Sequence, residues 1–429
     1  MTSTPTRILF VGDMHLGTRP SRLPAGLGDA DLLGPAGAWA RAVDAALEHR
    51  VQAVALAGDV VNKRNALFEA AAALRPGLEK LHAAGITTLA VAGNHDTRAL
   101  PALLKGGAPL RLLGVGGRWQ EHIIGGDGRP AVRIVGWSFP RERWEASPLA
   151  TPPPPARADL PTFGLLHADL DVPASPYAPV GRVALAAVGY DGWMLGHIHT
   201  PGAVPTDRRP FYLGSLVGLD PSETGEHGPV LVTVAADGAI TRERLPLAPL
   251  RWESWEIPCP VAPAAADDLQ EMLLRELETR TMTLGLAPGT ALGVRLVLAG
   301  SCDRPLAAAR AAAELALPPV TIDGVAVFVD RLESALRTDL DLVALARGDD
   351  PPGLLARRIL ALEDGAADPT AVPELARLLQ HLRDADAEAR RFNACTAATA
   401  ADDTELRRTG ARAARRLLDR LLTVAKAGP

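Results

Sequence analysis

The first half of the chain alternates short apolar runs with helical spacings. Arg7-Ile8-Leu9-Phe10-Val11-Gly12-Asp13 reads as an apolar strand ending in a polar turn. From Ala36 to Arg50 the spacing is helical, with Trp39, Val43, Ala46 and Leu47 on one side. Val51 to Asp59 predicts the next strand. Leu67 to Ala84 predicts an alanine-rich helix interrupted at Pro76, and Ile86 to Gly93 a third strand. Further apolar runs follow at Val132–Phe139, Thr162–His167, Trp193–Gly196, Phe211–Gly214 and Pro229–Ala235, with few helical patterns between them. Strand–helix–strand units followed by a strand-rich half predict an α/β protein whose sheets pack face to face.

Thr151-Pro152-Pro153-Pro154-Pro155 fits neither a sheet nor a helix interior and predicts a surface loop, because strand patterning resumes at once. Prolines cluster again near Leu250–Pro260, where a boundary is placed. The expected organisation is a first α/β domain over residues 1–255, a small α/β unit over 256–339 and a helical region over 340–429. The small unit reads as a helix (Ala264–Arg280), a strand (Ala291–Leu298), a helix (Leu306–Leu315) and a strand (Val325–Val329). The helical region is broken by Asp350-Pro351-Pro352-Gly353 and Gly365. Its last helix, Asp403 to Val424, sets Leu406, Ala411, Ala414, Leu417, Leu421 and Leu422 against a crowd of arginines.

The 429 residues carry 45 Lys+Arg and 50 Asp+Glu, a formal charge of −5 that excludes nucleic-acid binding by bulk positive charge. The three cysteines, Cys259, Cys302 and Cys395, are far apart. They exclude a disulfide scaffold and a cysteine-rich zinc site and fit a reducing compartment. No apolar run is long enough to span a membrane, and the polar Met1–Thr6 leads directly into a strand. The expectation is a cytoplasmic protein without a membrane segment.

The candidate chemistry lies at strand ends. Asp13-Met-His15, Gly58-Asp59, Gly93-Asn94-His95-Asp96, His167 and Gly196-His197-Ile-His199 each directly follow an apolar strand. Residues just past strand ends share one sheet edge, where ligands bind. Carboxylate, imidazole and amide oxygen donors suit Mn, Fe or Zn rather than soft-metal chemistry. Asp59 can bridge two ions about 3.5–4 Å apart, a spacing suited to in-line attack on phosphorus. His95, beside the ligand candidate Asn94, is free to act on substrate, with Asp96 as a nearby carboxylate. Taken singly, each cluster is matched by a common turn or a capped loop. The five in order favour the metal reading.

This ordered set resembles the calcineurin-like metallophosphoesterase superfamily. Asp13-Met-His15-Leu16-Gly17, Leu165-Leu-His167 with Tyr177-Ala-Pro179, and Tyr212-Leu-Gly214-Ser215 leading to Glu223-Thr-Gly225-Glu-His-Gly228 resemble its SbcD/YhaO-type DNA-repair exonuclease subunits. The likeness covers about residues 7–235 and continues more weakly through Val294–Gly300, which resembles a core strand of that group's capping domain. It implies a four-layer α/β/β/α sandwich, a small capping domain and a helical C-terminal region. It also implies one metal on Asp13, His15, Asp59 and His199, a second on Asp59, Asn94, His167 and His197, and His95 as the catalytic histidine. Two divalent ions, most often manganese, are the implied cofactors. DNA, an SMC-like coiled-coil ATPase subunit and a second copy of the chain are the partners considered. The chain departs from the pattern at Asn62, where many such nucleases carry a histidine, at Leu219-Asp220-Pro221, and at Ser301-Cys302-Asp303-Arg304.

For DNA contact, Arg19, Arg22, Lys63 and Arg64 follow the first two metal motifs, with solvated loop charge as the alternative. Trp137, Trp144 and Trp193 are considered for base stacking. Trp193 reads as core and Trp144 as the better candidate. The last helix either caps its own domain or docks on a partner. Three functions remain open on the sequence: a DNA phosphodiesterase working as an exonuclease subunit with an ATPase, a phosphatase or phosphodiesterase on small phosphoesters, and a non-catalytic scaffold binding DNA ends.

Overall fold

The computed structural model of the protein describes residues 4–62, 67–126, 129–338, 340–363, 377, 379–381, 383–385 and 403–427. Strands β1 (Thr6–Val11), β2 (Ala53–Leu56), β3 (Thr87–Ala90) and β4 (Arg111–Leu112) are joined by helices α1 (Ala30–Leu33), α2 (Pro35–Glu48), α3 (Leu67–Ala83) and α4 (Ala99–Lys105). Then come β5 (Trp119–Gly126), β6 (Arg129–Trp137), β7 (Thr162–His167), α5 (Arg182–Ala187), β8 (Gly192–Gly196), β9 (Phe211–Tyr212), β10 (Val230–Val234) and β11 (Ile240–Arg244). One sheet has the order β11-β10-β1-β2-β3-β4 and a second the order β5-β6-β7-β8-β9.

The central strands are parallel. Ile8 to Val11 pair with Ala53 to Leu56, which pair in turn with Thr87 to Ala90. In the second sheet β6, β7, β8 and β9 are parallel and β5 is an antiparallel edge. Strands in such sheets are buried on both faces, so they appear in sequence as near-continuous apolar runs. Along β1, Ile8 and Phe10 point between the sheets, where Phe163, Leu165 and Met194 meet them. Leu9 and Val11 point the other way, toward Trp39 and Val43 of α2 and Leu74 and Leu78 of α3. The outer face of the second sheet buries Trp137, Trp193 and Leu195 under Leu185 of α5 and Tyr190, whose ring stacks on Trp193 at 5.0 Å. The layers are helices, sheet, sheet, then a short helix with loops, the expected sandwich.

Several expectations are corrected. Pro76 does not end its helix; α3 runs through it. Leu250–Pro258 is a nine-residue strand, β12, in which Leu250, Trp252, Trp255 and Ile257 are buried despite the flanking prolines. Trp193 is a core residue, as expected, but Trp137 is core too, and Trp144 is packed partly buried against the same cluster, with its ring 6.1 Å from Trp137. Neither Trp137 nor Trp193 is free to stack on a base.

The chain divides into two compact units: Met1–Ser254 with Glu278–Arg295 and Pro318–Asp330, and Trp255–Leu277 with Leu296–Leu317 and Arg331–Pro429. Helices α6 (Ala266–Leu284) and α7 (Pro305–Glu314) and strands β13 (Ala291–Cys302), β14 (Val320–Ile322) and β15 (Val325–Thr338) precede α8 (Leu342–Leu345) and α9 (Pro351–Glu363). The helical region is interrupted between α8 and α9, as expected, and the proline pair at 351–352 opens α9. The last helix, α10 (Asp403–Ala427), packs along α9, with Leu418, Ala414 and Leu422 on Ala356 and Ile359. Part of its apolar face is thus covered within its own unit, while Leu417 is 51% exposed.

Trp39 joins the first sheet to its helical layer. Its ring is 1% exposed, and Nε1 donates to the Leu74 carbonyl at 3.3 Å. Trp39→Ala is expected to destabilise the first unit by about 3–5 kcal/mol through lost burial and a residual cavity. Urea unfolding followed by tryptophan fluorescence and circular dichroism checks this.

Candidate metal centre

Five loops converge where β1, β2, β3, β7 and β8 end. The backbone there is constrained. His15 (φ 49°), Asp59 (φ 48°) and His197 (φ 100°) adopt left-handed conformations that non-glycine residues avoid. Such strain persists only where the surroundings over-determine it, and it concentrates at functional sites. Two motif glycines are required by close approach. A Cβ on Gly93 would lie 2.2 Å from Asp59 Oδ1, and one on Gly196 2.3 Å from the Ala57 carbonyl oxygen.

Asp59 stands at the centre. Its Oδ2 is 3.4 Å from His167 Nε2, 3.8 Å from His15 Nε2 and 3.9 Å from His95 Nε2, while Oδ1 accepts the His95 backbone N–H at 2.9 Å. Asp13 is buried, and both of its oxygens accept the His197 backbone N–H, at 2.9 and 3.1 Å. Two pairs of ring nitrogens face each other: His15 Nε2 and His199 Nε2 at 2.9 Å, and His167 Nε2 and His197 Nδ1 at 3.3 Å. Asn94 Oδ1 joins the second pair, 3.0 Å from His167 Nε2. Asp13, His15 and His199 offer donor atoms within 4.8 Å of one another, as do Asp13, Asp59 and His167, and His15, Asp59 and His95.

The other ring nitrogens are occupied in ways that turn these donors inward. His167 Nδ1 donates to the Ala57 carbonyl at 3.1 Å. His199 Nδ1 donates to Glu223 Oε1 at 2.8 Å, and Glu223 Oε2 is held by the Leu219 N–H at 2.9 Å and the Ser215 hydroxyl at 3.3 Å. His197 Nε2 meets Asp169 Oδ1 at 3.3 Å, beside the Tyr177 ring. Carboxylates and carbonyls that fix ring tautomers in this way accompany metal-binding histidines.

The electrostatics fit a cation. Burial pushes Asp59 up, but His167 and His15 outweigh it and hold its carboxylate well below the usual range. Burial depresses His167, yet Asp59 and Asp13 raise it to about 9. His199 is likewise depressed by burial and raised to about 9 by Glu223, Asp13 and Asp59, while burial lowers His15 to about 4. At neutral pH His199 is therefore cationic and His15 neutral, and a proton sits where two imidazole nitrogens converge. A divalent cation is a natural competitor for that position. Two carboxylates, four inward imidazoles and an amide oxygen form a donor set suited to two such ions.

Sequence reasoning brought Asp13, His15, Asp59, Asn94, His95, His167, His197 and His199 to one place, and the structure gathers all eight. His95 lies on the open side, its side chain 31% exposed. Asp96 is placed differently from the expected partner of His95. It is fully buried, and its carboxylate accepts the backbone N–H groups of Val60 (3.1 Å), Val61 (2.9 Å) and Gly93 (3.1 Å), clamping two site loops together. Burial, then the charge of Asp59, raises its pKa. Arg19 is held in a two-pronged pair with Asp31 at 2.7 and 3.0 Å, and Arg22 is exposed. Lys63 and Arg64 lie outside the described residues. Glu223 and Asp169 were not anticipated as supports. Glu223 was visible only as part of a motif, and Asp169 as the second residue after His167.

Residues 6–201 match the sequence profile of a family described as calcineurin-like phosphoesterase. The chain is 26% identical over 283 residues to the uncharacterized metallophosphoesterase YhaO of Bacillus subtilis, over 60% of this chain and 62% of that protein. It is 30% identical over 251 residues to the DNA double-strand break repair protein Mre11 of Haloferax volcanii, over 56% of this chain and 52% of that protein. It thus spans less than two thirds of either relative's length. Among solved structures, a dimetal phosphatase from Danio rerio is similar at 15% identity and a TM-score of 0.34, over 54% of this chain and 94% of that one. TT1561 of Thermus thermophilus is similar at 12% identity and a TM-score of 0.33, over 56% and 99%.

Removing the Glu223 carboxylate frees His199 to rotate. Glu223→Ala is expected to weaken divalent-metal binding by about 10–100-fold while the chain stays folded. Calorimetric titration with manganese, alongside a circular-dichroism melt, measures both.

Proposed function

We propose, on the match of residues 6–201 to the calcineurin-like phosphoesterase profile, that the protein is a two-metal-dependent phosphodiesterase acting on DNA, the exonuclease subunit of a complex with an SMC-like ATPase. The observation that carries the hydrolytic part is the pair of facing imidazole couples around the buried Asp59, with the half-exposed His95 beside them. Asp13, His15, Asp59 and His199 hold one ion in this reading, and Asp59, Asn94, His167 and His197 the other. Bound divalent ions supply Lewis acidity toward a phosphoryl oxygen and an acidified water. Manganese is the metal proposed, with iron or zinc as alternatives.

The protein's own groups do the rest. The rigid floor of buried strands holds the donors, and the Asp96 clamp fixes the loops that carry Asp59 and Asn94. His95 stands on the open face, where a substrate phosphate would lie. Its imidazole can donate to a phosphoryl oxygen or to the departing oxygen. His95 also lies close enough to His15 and Asp59 to share an ion, so its role must be separated from ligation.

DNA is the substrate supported by the Mre11 relative. Arg22, which follows the first metal motif in sequence, is exposed. The engagement of Arg19 by Asp31 favours a second reading, hydrolysis of nucleotides or other small phosphoesters, since a paired guanidinium offers less to a phosphate backbone. Turnover on linear duplex DNA against a small aryl phosphodiester, both with manganese, separates the two.

His95→Ala is expected to lower phosphodiester cleavage by at least about 100-fold, the range of general acid catalysis, with both ions retained. Metal content by mass spectrometry and cleavage at saturating manganese are measured together. Full activity with both ions bound rejects the role.

A further inference from the structure

The second unit holds a groove that the phosphoesterase chemistry does not use. Its volume is ≈ 1380 Å³, beyond the roughly 300–1,000 Å³ of a small-molecule cleft. Arg337, Arg407, Arg408, Arg412, Arg415 and Arg416 line it, against two carboxylates among the described residues, Glu256 and Glu363. Five of the six arginines come from α10, whose opposite face is covered by α9, so the helix is fixed with its guanidinium groups toward the groove.

The arginines are unequally occupied. Arg415 grips Glu363 with two prongs at 2.7 and 2.6 Å, and Arg416 donates to the Ser334 carbonyl at 3.2 Å. Arg412 donates to the Thr409 hydroxyl, at 3.3 Å. Nη1 of Arg407 is buried without a hydrogen-bond partner among the described residues. A buried guanidinium nitrogen without an acceptor is costly and marks a place for an anion.

We propose that this groove docks an acidic peptide segment of a partner protein. Guanidinium forks match carboxylates two-pronged, and the groove already holds one carboxylate in that geometry, Glu363 on Arg415. Buried Leu336, Leu362 and Ala411 also line it and receive aliphatic side chains set between the carboxylates. No aromatic ring lines the groove among the described residues, so a single nucleic-acid strand would find no stacking platform. The proposal does not depend on the metal centre.

The test uses the full chain and a fluorescein-labelled peptide of about fifteen residues repeating Glu-Asp-Leu, followed by fluorescence anisotropy. A labelled oligothymidylate of similar charge runs in parallel. The wild-type chain is expected to bind the peptide more tightly than the oligonucleotide, and added salt should weaken the complex. Arg408→Glu with Arg412→Glu should weaken peptide binding by about tenfold or more, and the double lysine variant by less, because it keeps the charge and loses the fork. Unchanged melting curves show that both variants fold. Equal peptide binding by wild-type and charge-reversed chains, or none at low salt, overturns the proposal. So does tighter binding of the oligonucleotide that is lost in the same variant, which would make the groove a nucleic-acid site.

Discussion

One buried carboxylate organises the first unit. Asp59 sits in a left-handed turn, almost fully removed from water, with imidazoles of three loops within 4 Å of its Oδ2. A charge in that position is tolerable only with opposite charge around it. Without a metal, cationic His167 and the histidines near it serve that need. In the function proposed above, divalent ions would take the same oxygens and nitrogens as ligands. The parallel strands of both sheets exist, from the viewpoint of chemistry, to bring their C-terminal ends to this carboxylate. The Asp96 clamp and the closely packed Gly93 hold it there.

Much of this was legible in the sequence because burial and chemistry left separate marks. Strands buried on both faces, such as Ile8–Val11 and Thr162–His167, appear as unbroken apolar runs, and a polar cluster right after each one stands out. Elements at sheet edges were harder to see. Ile240–Arg244 is largely polar, and β5 mixes Trp119, Gln120, Glu121 and His122, so neither shows a clean period. Leu250–Pro258 was obscured by its flanking prolines, although its alternation of buried positions was present. At the site, residue type could nominate ligands but not direction. Asp96 carries a carboxylate next to His95, yet only the fold shows that it faces three backbone donors. Glu223 lies 24 residues from His199 in sequence, and only the loop geometry joins them.

The second unit shows the limit of amphipathicity as a guide to partners. The apolar stripe of the last helix was one docking candidate, but α9 covers much of it and leaves Leu417 exposed. What remains available is the polar side, where arginines outnumber carboxylates along one groove. Helix–helix packing thus decides which face is left for another molecule, and it leaves the charged one.

The central claim is that Asp59 bridges two ions, which electron paramagnetic resonance of the manganese-loaded protein tests most directly. The account predicts two manganese ions per chain with an exchange-coupled spectrum, lost in Asp59→Asn while the fold persists. One ion per chain, or two whose spectra are uncoupled and unaffected by that substitution, would contradict it.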